Sequence, residues 1–265
     1  MRIITLTTDF GTRDGYPGIM KGVILGICPQ AQIVDITHEI SPQQVLEGAL
    51  TLARSAPYYP PNTVHIAVVD PGVGTERRPL AARLGQQYYV FPDNGLISAV
   101  LMKVEEKHQP IQIVHLNRPQ YWLPNVSNVF HGRDIFAPVG AHLANGTPLS
   151  DLGTSISDPY RLELPTVEPI PNGWRGAIIH IDHFGNVATN LQAEHVQGWG
   201  ALEVRLVGQV YRVPLTRTFG ENEPGKLVAL IDSSGYLALC VVNGSAAARI
   251  NTRLGDSVEI VCKPK

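Results

Sequence analysis

The sequence predicts an α/β domain with a mostly parallel sheet, residues 1–165, followed by a small all-β antiparallel barrel domain, residues 166–265. Two observations support this division. Strand and helix signals alternate through the first part, which is typical of right-handed βαβ crossovers. Beyond the proline-rich stretch "ELPTVEPIPNGW", which we interpret as a linker, strand signals follow one another without a long helical pattern.

The elements of the first domain follow from periodicity and from turn residues. The β-branched run "IITLTT" predicts a strand, and the apolar spacing in "YPGIMKGVILGI" predicts a helix that Pro29 ends. After the strand "QIVDI", Ser41 and Pro42 predict the N-cap and first turn of a second helix. A buried strand at "TVHIAVVD" and a hairpin around Gly85 come next. The remaining predictions are a helix at "GLISAVLMK", a strand at "IQIVHL" and a helix at "DIFAPVGAHLANG".

The second domain is predicted to be built from short strands alone. Gly, Asn or Asp separates most of the apolar runs, as in small sandwiches and barrels. The predicted strands are "GAIIHID", "NVATNL", "LEVRLV", "QVYRVPL", "LVALID", "YLALCVV" and "SVEIVC".

Composition excludes several classes of protein. A formal net charge of −2 argues against non-specific binding of nucleic acid. The 3 cysteines are sparse and widely spaced, which predicts neither a disulfide framework nor a zinc site and favours the cytoplasm. The sequence also lacks a signal peptide and any apolar stretch long enough for a bilayer, so we expect no membrane association.

The stretch "VVDPGVGTERRP" imitates a nucleotide-binding loop but fails its requirements. Glu76 stands where a third glycine would be, and Pro79 prevents a helix from continuing there, which excludes a methyltransferase or dinucleotide fingerprint. No G-K-[ST] follows, so the stretch is not a P-loop. The "DFG" near the start of the chain leaves no room for the ATP-binding lobe of a kinase.

Several polar residues remain as candidates for chemistry. Asp70 ends a predicted parallel strand, where α/β sheets bind ligands, and the glycines after it return Arg77 or Arg78 towards it. "FHGRDIF" adds His131 and Asp134 at a helix start, although Asp134 is also an ordinary helix cap. Two further loops carry pairs of polar residues that turn chemistry alone could explain: Asp9 with Asp14, and Asp182 with Asn186.

Eight segments taken together closely resemble one family, the S-adenosylmethionine hydroxide adenosyltransferases, which are related to fluorinating and chlorinating enzymes. The resemblance covers nearly the whole chain. The segments are "TDFGTRDGY", "SPQQVLEGA", "VVDPGVGTERRPL", "PDNGL", "FHGRDIFAP", "IDHFGNVATN", "SSGYL" and "NGSAA". The resemblance implies hydrolysis of S-adenosyl-L-methionine to adenosine and L-methionine, with Asp70, Arg77 and His131 holding the attacking water or hydroxide. The choice of Arg77 over Arg78 comes from the family pattern.

The resemblance also implies the substrate contacts. Asp9 matches a ribose contact, Asp14 and Asp182 match contacts to the methionine ammonium, and Asn186 matches an adenine contact. The remaining matches are Phe219 for stacking on adenine, Ser233 and Ser234 for the methionine carboxylate, and Asn243 and Gly244 for the adenine edge. Family relatives are trimers with sites between subunits, so a homotrimer is implied.

The chemistry implied by this resemblance requires neither a metal nor a cofactor. A sulfonium leaves as a neutral thioether, so the leaving group needs no proton, and the main task is to place an oxygen nucleophile in line with C5′. No metal-binding histidine pattern is present. An ionised carboxylate is a weak base towards water, whose pKa is ~15.7. We therefore favour Asp70 as an orienting acceptor, with a general base as the alternative.

Two other functions stay open from the sequence. One is a halogenase of the same fold, although halogenating relatives carry an uncharged residue where this chain has Asp70. Val73 and Gly132 also lack the hydroxyl groups of the fluorinating relative, and Gln43 replaces an aromatic residue. The other is a non-catalytic regulator that binds S-adenosylmethionine or adenosine, which would not need a set of residues that holds a nucleophile.

Overall fold

A computed structural model describes residues 2–262, in which the chain divides into two units, residues 1–164 and 165–265. The first unit contains strands and helices in alternation. Its strands are β1 (Ile3–Thr8), β2 (Gln32–Thr37), β3 (Val64–Val68), β4 (Pro79–Leu84), β5 (Gln87–Pro92), β6 (Ile111–His115) and β7 (Thr154–Ile156). Its helices are α1 (Tyr16–Ile27), α2 (Val45–Ser55), α3 (Ser98–Glu106) and α4 (Ala137–Ala144), and a π-helical turn over Gly132–Phe136 leads into α4.

The sheet of this unit has the strand order β2-β1-β3-β5-β4-β6-β7. Strands β2, β1, β3 and β5 pair in parallel, and β6 shares their direction because β4 is antiparallel to both of its neighbours. The mostly parallel sheet predicted from the sequence is confirmed. The hairpin around Gly85 is confirmed too, and that residue adopts the left-handed φ of +58° that a tight turn requires.

Helices cover both faces of the sheet and produce two apolar cores. On one face, Met20 of α1 and Val139 of α4 pack with Ile66 of β3. On the other, Leu52 of α2 and Leu101 of α3 pack in a second buried cluster. The strands are thus buried on both sides, which is why the run "TVHIAVVD" is apolar without alternation.

Helix α2 begins later than the sequence predicts. Ser41 is not its N-cap, because the helix starts at Val45 and no side chain caps it. The reason lies in Gln43, which has a left-handed φ of +65° and donates its backbone N–H to Asp9 Oδ2 at 2.8 Å. A residue in this conformation cannot be part of an α-helix, so the first turn is displaced.

Strand β3 carries a buried histidine that should make the fold sensitive to acid. The ring of His65 is 0% exposed, its Nδ1 lies 2.7 Å from Thr5 Oγ1, and it stacks on Tyr89. Burial lowers the pKa of His65 to about 4, against 6.5 for a free side chain. The unfolded chain therefore binds the proton more readily between these values, so the associated stability is present above pH 6.5 and lost as the pH falls towards 4.

We expect His65 to contribute a loss of about 3 kcal/mol in the free energy of unfolding across this range. Urea unfolding of the parent and of His65→Gln at several pH values measures it, and the variant should show a weaker dependence on pH. The exposed His183 provides a matched control, since His183→Gln should retain the parent's dependence. Equal pH dependence in the parent and His65→Gln would contradict the prediction.

The second unit is an antiparallel, nearly closed barrel, as predicted. Its strands are β8 (Glu168–Ile170), β9 (Gly173–Ile181), β10 (Val187–Gln192), β11 (Ala201–Leu206), β12 (Gln209–Pro214), β13 (Leu227–Ile231), β14 (Tyr236–Val241) and β15 (Ser257–Cys262), with a short helix α5 (Ala246–Ile250). Their order is β12-β11-β15-β9-β10-β14-β13, and a bridge between Leu215 and Ala229 joins the two ends. The apolar interior includes Ile178, Leu239 and Ile260.

Three short elements, β7, β8 and α5, are not predicted from the sequence pattern. Strand β8 lies inside the stretch interpreted as a linker, and it tolerates Pro169 because it pairs only with β9 at the edge of the sheet. Ser245 is the N-cap of helix α5, and its Oγ accepts the N–H of Ala248. Among the described residues, no helix combines the length and apolar character needed to cross a membrane.

Candidate active site

The sequence after β3 brings a carboxylate and a guanidinium into direct contact. Arg77 Nε lies 3.0 Å from both Oδ1 and Oδ2 of Asp70, and Arg77 Nη2 also donates to Oδ2. Both side chains are almost fully buried, at 5% exposure for Asp70 and 8% for Arg77. A forked pair of this kind fixes the plane of the guanidinium as well as its position.

His131 completes the group from the other side of the guanidinium. Arg77 Nη2 lies 2.8 Å from His131 Nδ1. A guanidinium can only donate, so Nδ1 accepts and the ring is neutral in this arrangement. Burial, and then the positive charge of Arg77, lower the pKa of His131, while Asp70 and Asp134 oppose the shift. The neutral form is therefore the one present at pH 7.

One donor of Arg77 is left over. The Nη1 atom is buried and makes no hydrogen bond to any described residue. The guanidinium also packs over the ring of Phe136, with Cζ 5.3 Å from the ring centroid, which keeps that side apolar. A buried cationic donor without an acceptor is energetically unfavourable, so this atom is suited to binding an oxygen or another electron-rich group.

The neighbouring arginine has different partners. Arg78 Nε donates to Asp93 Oδ2 at 2.7 Å, and its other nitrogens bind Asp158 through the side chain and the backbone. These hydrogen bonds distinguish the two arginines, whereas the sequence spacing alone left the choice between them open. Arg77 faces Asp70 and His131, whereas Arg78 ties the start of β4 to residues on other loops.

The loop between Asp70 and Arg77 depends on one glycine more than on the other. Gly74 has a left-handed φ of +78°, and a Cβ there would overlap the carbonyl oxygen of Asn128 in the segment before His131. Gly72 is not left-handed, and a Cβ there would meet Thr75 Oγ1 at 3.4 Å and Arg77 Cγ at 3.5 Å, which are ordinary contacts. Of the two glycines, only Gly74 has a backbone conformation that favours glycine.

Asp134 holds the segment that carries His131. Its side chain is 0% exposed and accepts from Arg133 Nε at 2.6 Å, from Arg133 Nη2 at 3.0 Å and from the backbone N–H of Ser127 at 2.8 Å. Asp134 lies inside the π-helical turn and binds upstream, so it does not act as the helix cap that its position indicates in the sequence. The carboxylate joins both ends of the loop around His131.

Replacing Asp134 by asparagine should destabilise the fold by about 1.5–3 kcal/mol, because buried hydrogen bonds to a charged acceptor are lost while the shape of the side chain is kept. Urea unfolding at neutral pH measures the change. Asp158→Asn serves as the control, since Asp158 is 75% exposed and its ion pair with Arg78 should contribute little. Similar small effects of the two substitutions would contradict this role of Asp134.

The first loop approaches the same region through aromatic contacts. Phe10, Tyr16 and Phe130 pack edge to face in a group of three rings, with centroids 5.1 to 5.9 Å apart. This group links the loop that contains Asp9 and Asp14 to the segment just before His131. Asp9 binds Gln43 and is half-buried, whereas Asp14 is exposed. These rings are not among the site residues predicted from the sequence, although all three lie within segments that carry the family resemblance.

In the barrel unit, Asp182 and Asn186 bind one another in the turn between β9 and β10. Asn186 Nδ2 donates to Asp182 Oδ2 at 2.7 Å, and Asp182 Oδ1 accepts from the backbone N–H groups of Phe184 and Asn186 at 2.9 Å. Local turn chemistry therefore accounts for these contacts. The same hydrogen bonds also fix the orientation of both side chains.

Four of the residues expected at an adenine line one open cleft on this unit. They are Asn186, Phe219, Asn243 and Gly244, together with Val241 and the 74% exposed ring of Phe184. Phe184 is missing from the sequence predictions. Two exposed aromatic rings beside amide and backbone groups form a surface suited to a flat heterocycle. The left-handed φ of +55° at Asn243 positions that side of the cleft.

Ser233 and Ser234 lie away from this cleft along the strands. They occupy the turn before β14, where Ser234 N–H donates to Asp232 Oδ1 at 2.8 Å. The cleft is at the other end of β14, because Leu239 is paired with Val187, next to the Asp182–Asn186 turn. The predicted substrate residues of the barrel therefore form two separate groups. Among residues 2–262, no cluster of three or more His, Cys, Asp or Glu side chains is placed to hold a metal ion.

Comparisons with known proteins agree over both units. Residues 4–153 match the SAM hydroxide adenosyltransferase N-terminal domain, and residues 176–259 match the C-terminal domain, where SAM is S-adenosyl-L-methionine. An (R)-S-adenosyl-L-methionine hydrolase of Salinispora tropica is 38% identical, with 97% of each chain covered. A fluorinase of Nocardia brasiliensis is 30% identical, covering 97% of this chain and 96% of that protein. A crystal structure of an uncharacterized conserved protein from Thermotoga maritima is 33% identical, with a TM-score of 0.91 over 97% of this chain and 99% of the other.

Proposed function

Because the chain belongs to the SAM hydroxide adenosyltransferase family, we propose that it is an enzyme that hydrolyses S-adenosyl-L-methionine to adenosine and L-methionine. The similarity to a hydrolase exceeds that to a fluorinase, at 38% against 30% identity over nearly the whole chain. The resemblance inferred from the sequence is confirmed by these matches. The residues assigned to catalysis and binding below are part of the proposal.

The buried arrangement of Asp70, Arg77 and His131 is the observation that carries this function. Asp70 balances the charge of Arg77 on one side, and His131 accepts one of its N–H groups on another. The unpartnered Nη1 is then the donor that binds the attacking oxygen and stabilises its hydroxide character. Asp70 orients that oxygen by accepting a hydrogen bond from it. The general-base role for Asp70 stays the alternative mechanism.

The reaction needs only a nucleophile placed in line with the sulfonium. The oxygen forms a bond to the ribose C5′ while the C5′–S bond breaks, and the electron pair of that bond stays on sulfur to give the neutral thioether of methionine. The proton of the water is lost to solvent. No general acid is required, and we propose that no metal or cofactor takes part. The work of the protein is therefore orientation and electrostatic stabilisation.

We propose that the substrate is held by residues from both units. Asp9 binds the ribose hydroxyls, while Asp14 and Asp182 bind the methionine ammonium; carboxylates suit a substrate with two cationic centres. The cleft with Asn186, Phe219, Asn243 and Gly244 receives the adenine. Ser233 and Ser234, in their separate turn, bind the carboxylate of methionine.

We also propose that a homotrimer in the cytoplasm is the active form, with each site shared between the α/β domain, residues 1–165, of one subunit and the barrel domain, residues 166–265, of the next. This assignment rests on the family resemblance and on candidate ligands divided between two domains. Nucleic acid and membranes are not proposed as partners. Light scattering of the purified protein measures the assembly, and a stable, active monomer would contradict it.

The halogenase alternative is disfavoured by the carboxylate of Asp70. A halide site needs donors and no nearby anion, because a carboxylate facing a halide in a dry pocket is repulsive by several kcal/mol. The regulator alternative is disfavoured by the same group of residues, since binding alone does not require a buried Asp–Arg–His arrangement.

Incubation with S-adenosyl-L-methionine in isotopically labelled water tests the proposal. We expect label in the 5′-oxygen of adenosine, and we expect adenosine as the product even in concentrated chloride or fluoride. Mass spectrometry and chromatography of the products measure both. Adenosine without label would contradict attack of water at C5′. Substantial 5′-halo-5′-deoxyadenosine would contradict the exclusion of halide, and binding without turnover would contradict enzymatic activity.

A further inference from the structure

The α/β unit contains a cavity that lies far from Asp70 along the sheet. It has a volume of about 400 Å³ and lies between the carboxyl ends of helices α2 and α3 and the β4–β5 hairpin. Gln87 and Tyr89, two of its lining residues, stand at the start of β5, which is level with the start of β3. Asp70 follows the end of β3. The cavity therefore lies at the opposite end of the strands from Asp70.

Positive charges converge on this cavity. Lys103 and Lys107 line it, and Arg54 belongs to the same turn of α2 as the lining residue Ala53. Burial, and then the charges of Lys107 and Arg54, lower the pKa of Lys103, with Glu106 the one opposing charge. Two lysines thus line the cavity, and the positive charge of Arg54 lies near Lys103.

Helix termini account for only part of this cluster. Lys103 Nζ donates to the carbonyl of Ala53 at 3.0 Å in the last turns of α2, an ordinary use of lysine at the negative end of a helix. The ammonium of Lys103 has three N–H donors, and this bond uses one of them. Lys107 is exposed on the rim. Donor capacity for an acceptor remains after the helix ends are satisfied.

The rest of the cavity is preformed and mixed in polarity. Gln87 Nε2 donates to the carbonyls of Ala56 and Tyr59 at 2.9 Å, and Gln87 Oε1 accepts from Tyr89. These bonds lock the wall. Apolar lining is supplied by Leu84, Val100 and Val104. A concave site of this volume, with apolar lining and a few convergent polar groups, is typical of small-molecule binding.

We propose that this cavity binds a small organic anion, a carboxylate or phosphate attached to an apolar body. Lys103 and Lys107 hold the anionic group, and Leu84, Val100 and Val104 contact the apolar part. The proposal does not depend on the catalytic function, since it uses none of the residues assigned to hydrolysis.

Calorimetric titration of the full-length protein with phenyl phosphate, benzoate and inorganic phosphate tests the site. We expect at least one of the two organic anions to bind more tightly than inorganic phosphate, because only they use the apolar lining, and the preferred one identifies the anionic group. Lys107→Gln and Lys103→Gln should each weaken binding about tenfold or more. Lys226→Gln, which removes a positive charge from the barrel unit, should leave binding unchanged.

Thermal unfolding of each variant separates loss of the site from loss of the fold, and Lys107→Gln alters only an exposed side chain. Hydrolysis of S-adenosyl-L-methionine by Lys107→Gln should match that of the parent. Failure of the parent to bind either organic anion at millimolar concentration would overturn the proposal. Binding that is unchanged in Lys107→Gln and Lys103→Gln would overturn it as well, because the anion would then be held elsewhere.

Discussion

Replacing Arg77 by lysine is expected to lower kcat by about 10²–10³ while KM changes little. Lysine keeps the positive charge but offers donors from a single nitrogen atom. It cannot bind both carboxylate oxygens of Asp70, donate to His131 and still present a donor to the attacking oxygen. Because Arg77 holds the attacking oxygen and is not assigned a contact to S-adenosyl-L-methionine, we expect the loss to appear in kcat. Steady-state kinetics with S-adenosyl-L-methionine measures both constants.

Arg78→Lys is the matched control for this experiment. The two arginines are adjacent, but Arg78 binds Asp93 and Asp158 and has no contact with His131 among its hydrogen bonds. Its replacement should leave kcat close to the parent value. Circular dichroism of both variants checks that each is folded. Equal loss of kcat in the two variants, or an effect of Arg77→Lys on KM alone, would contradict the assignment of Arg77.

Gly74→Ala is expected to reduce the free energy of unfolding by at least about 2 kcal/mol. Two effects add: alanine is strained at a φ of +78°, and its Cβ would overlap the carbonyl oxygen of Asn128. Relief of that overlap must move either the loop that carries Arg77 or the segment that leads to His131. Turnover should therefore fall together with stability.

Gly72→Ala tests whether the effect belongs to this geometry or to any change in the loop. A Cβ at Gly72 meets only ordinary contacts at 3.4 and 3.5 Å. We expect a change below about 1 kcal/mol and near-normal turnover. Urea unfolding and kinetics of the two variants decide between these outcomes, and a larger loss in Gly72→Ala would show that the loop is built differently.

Periodicity was sufficient to predict the long elements because their burial pattern is local information. Strand β3 is buried throughout and mostly apolar, and α1 has a helical repeat, so each is visible without its partners. The start of α2 could not be predicted in this way. Ser41 and Pro42 form a good local capping sequence, but Gln43 turns away to bind Asp9, which is 34 residues earlier in the chain.

The candidate site shows the same limit. Asp70 and Arg77 lie in one loop, so their pairing follows from the turn between them, but the choice between Arg77 and Arg78 depends on His131 and Asp93 in other segments. Asp134 has the sequence position of a cap and the contacts of a loop anchor. Phe184 has no periodic signal at all. Its exposure beside Phe219 is a property of the folded barrel surface.

The π-helical turn over Gly132–Phe136 sets the rotational phase of His131 independently of the helix that follows. An α-helix advances by about 100° per residue. The packing of Val139 and Leu143 in the core would therefore normally also fix the direction of the side chains in the first turn. The wider turn inserts one residue and breaks that link. Deleting one residue from it would rotate His131 by about 100° away from Arg77 while α4 kept its packing. The insertion thus lets the chain adjust the direction of one imidazole without redesigning the core.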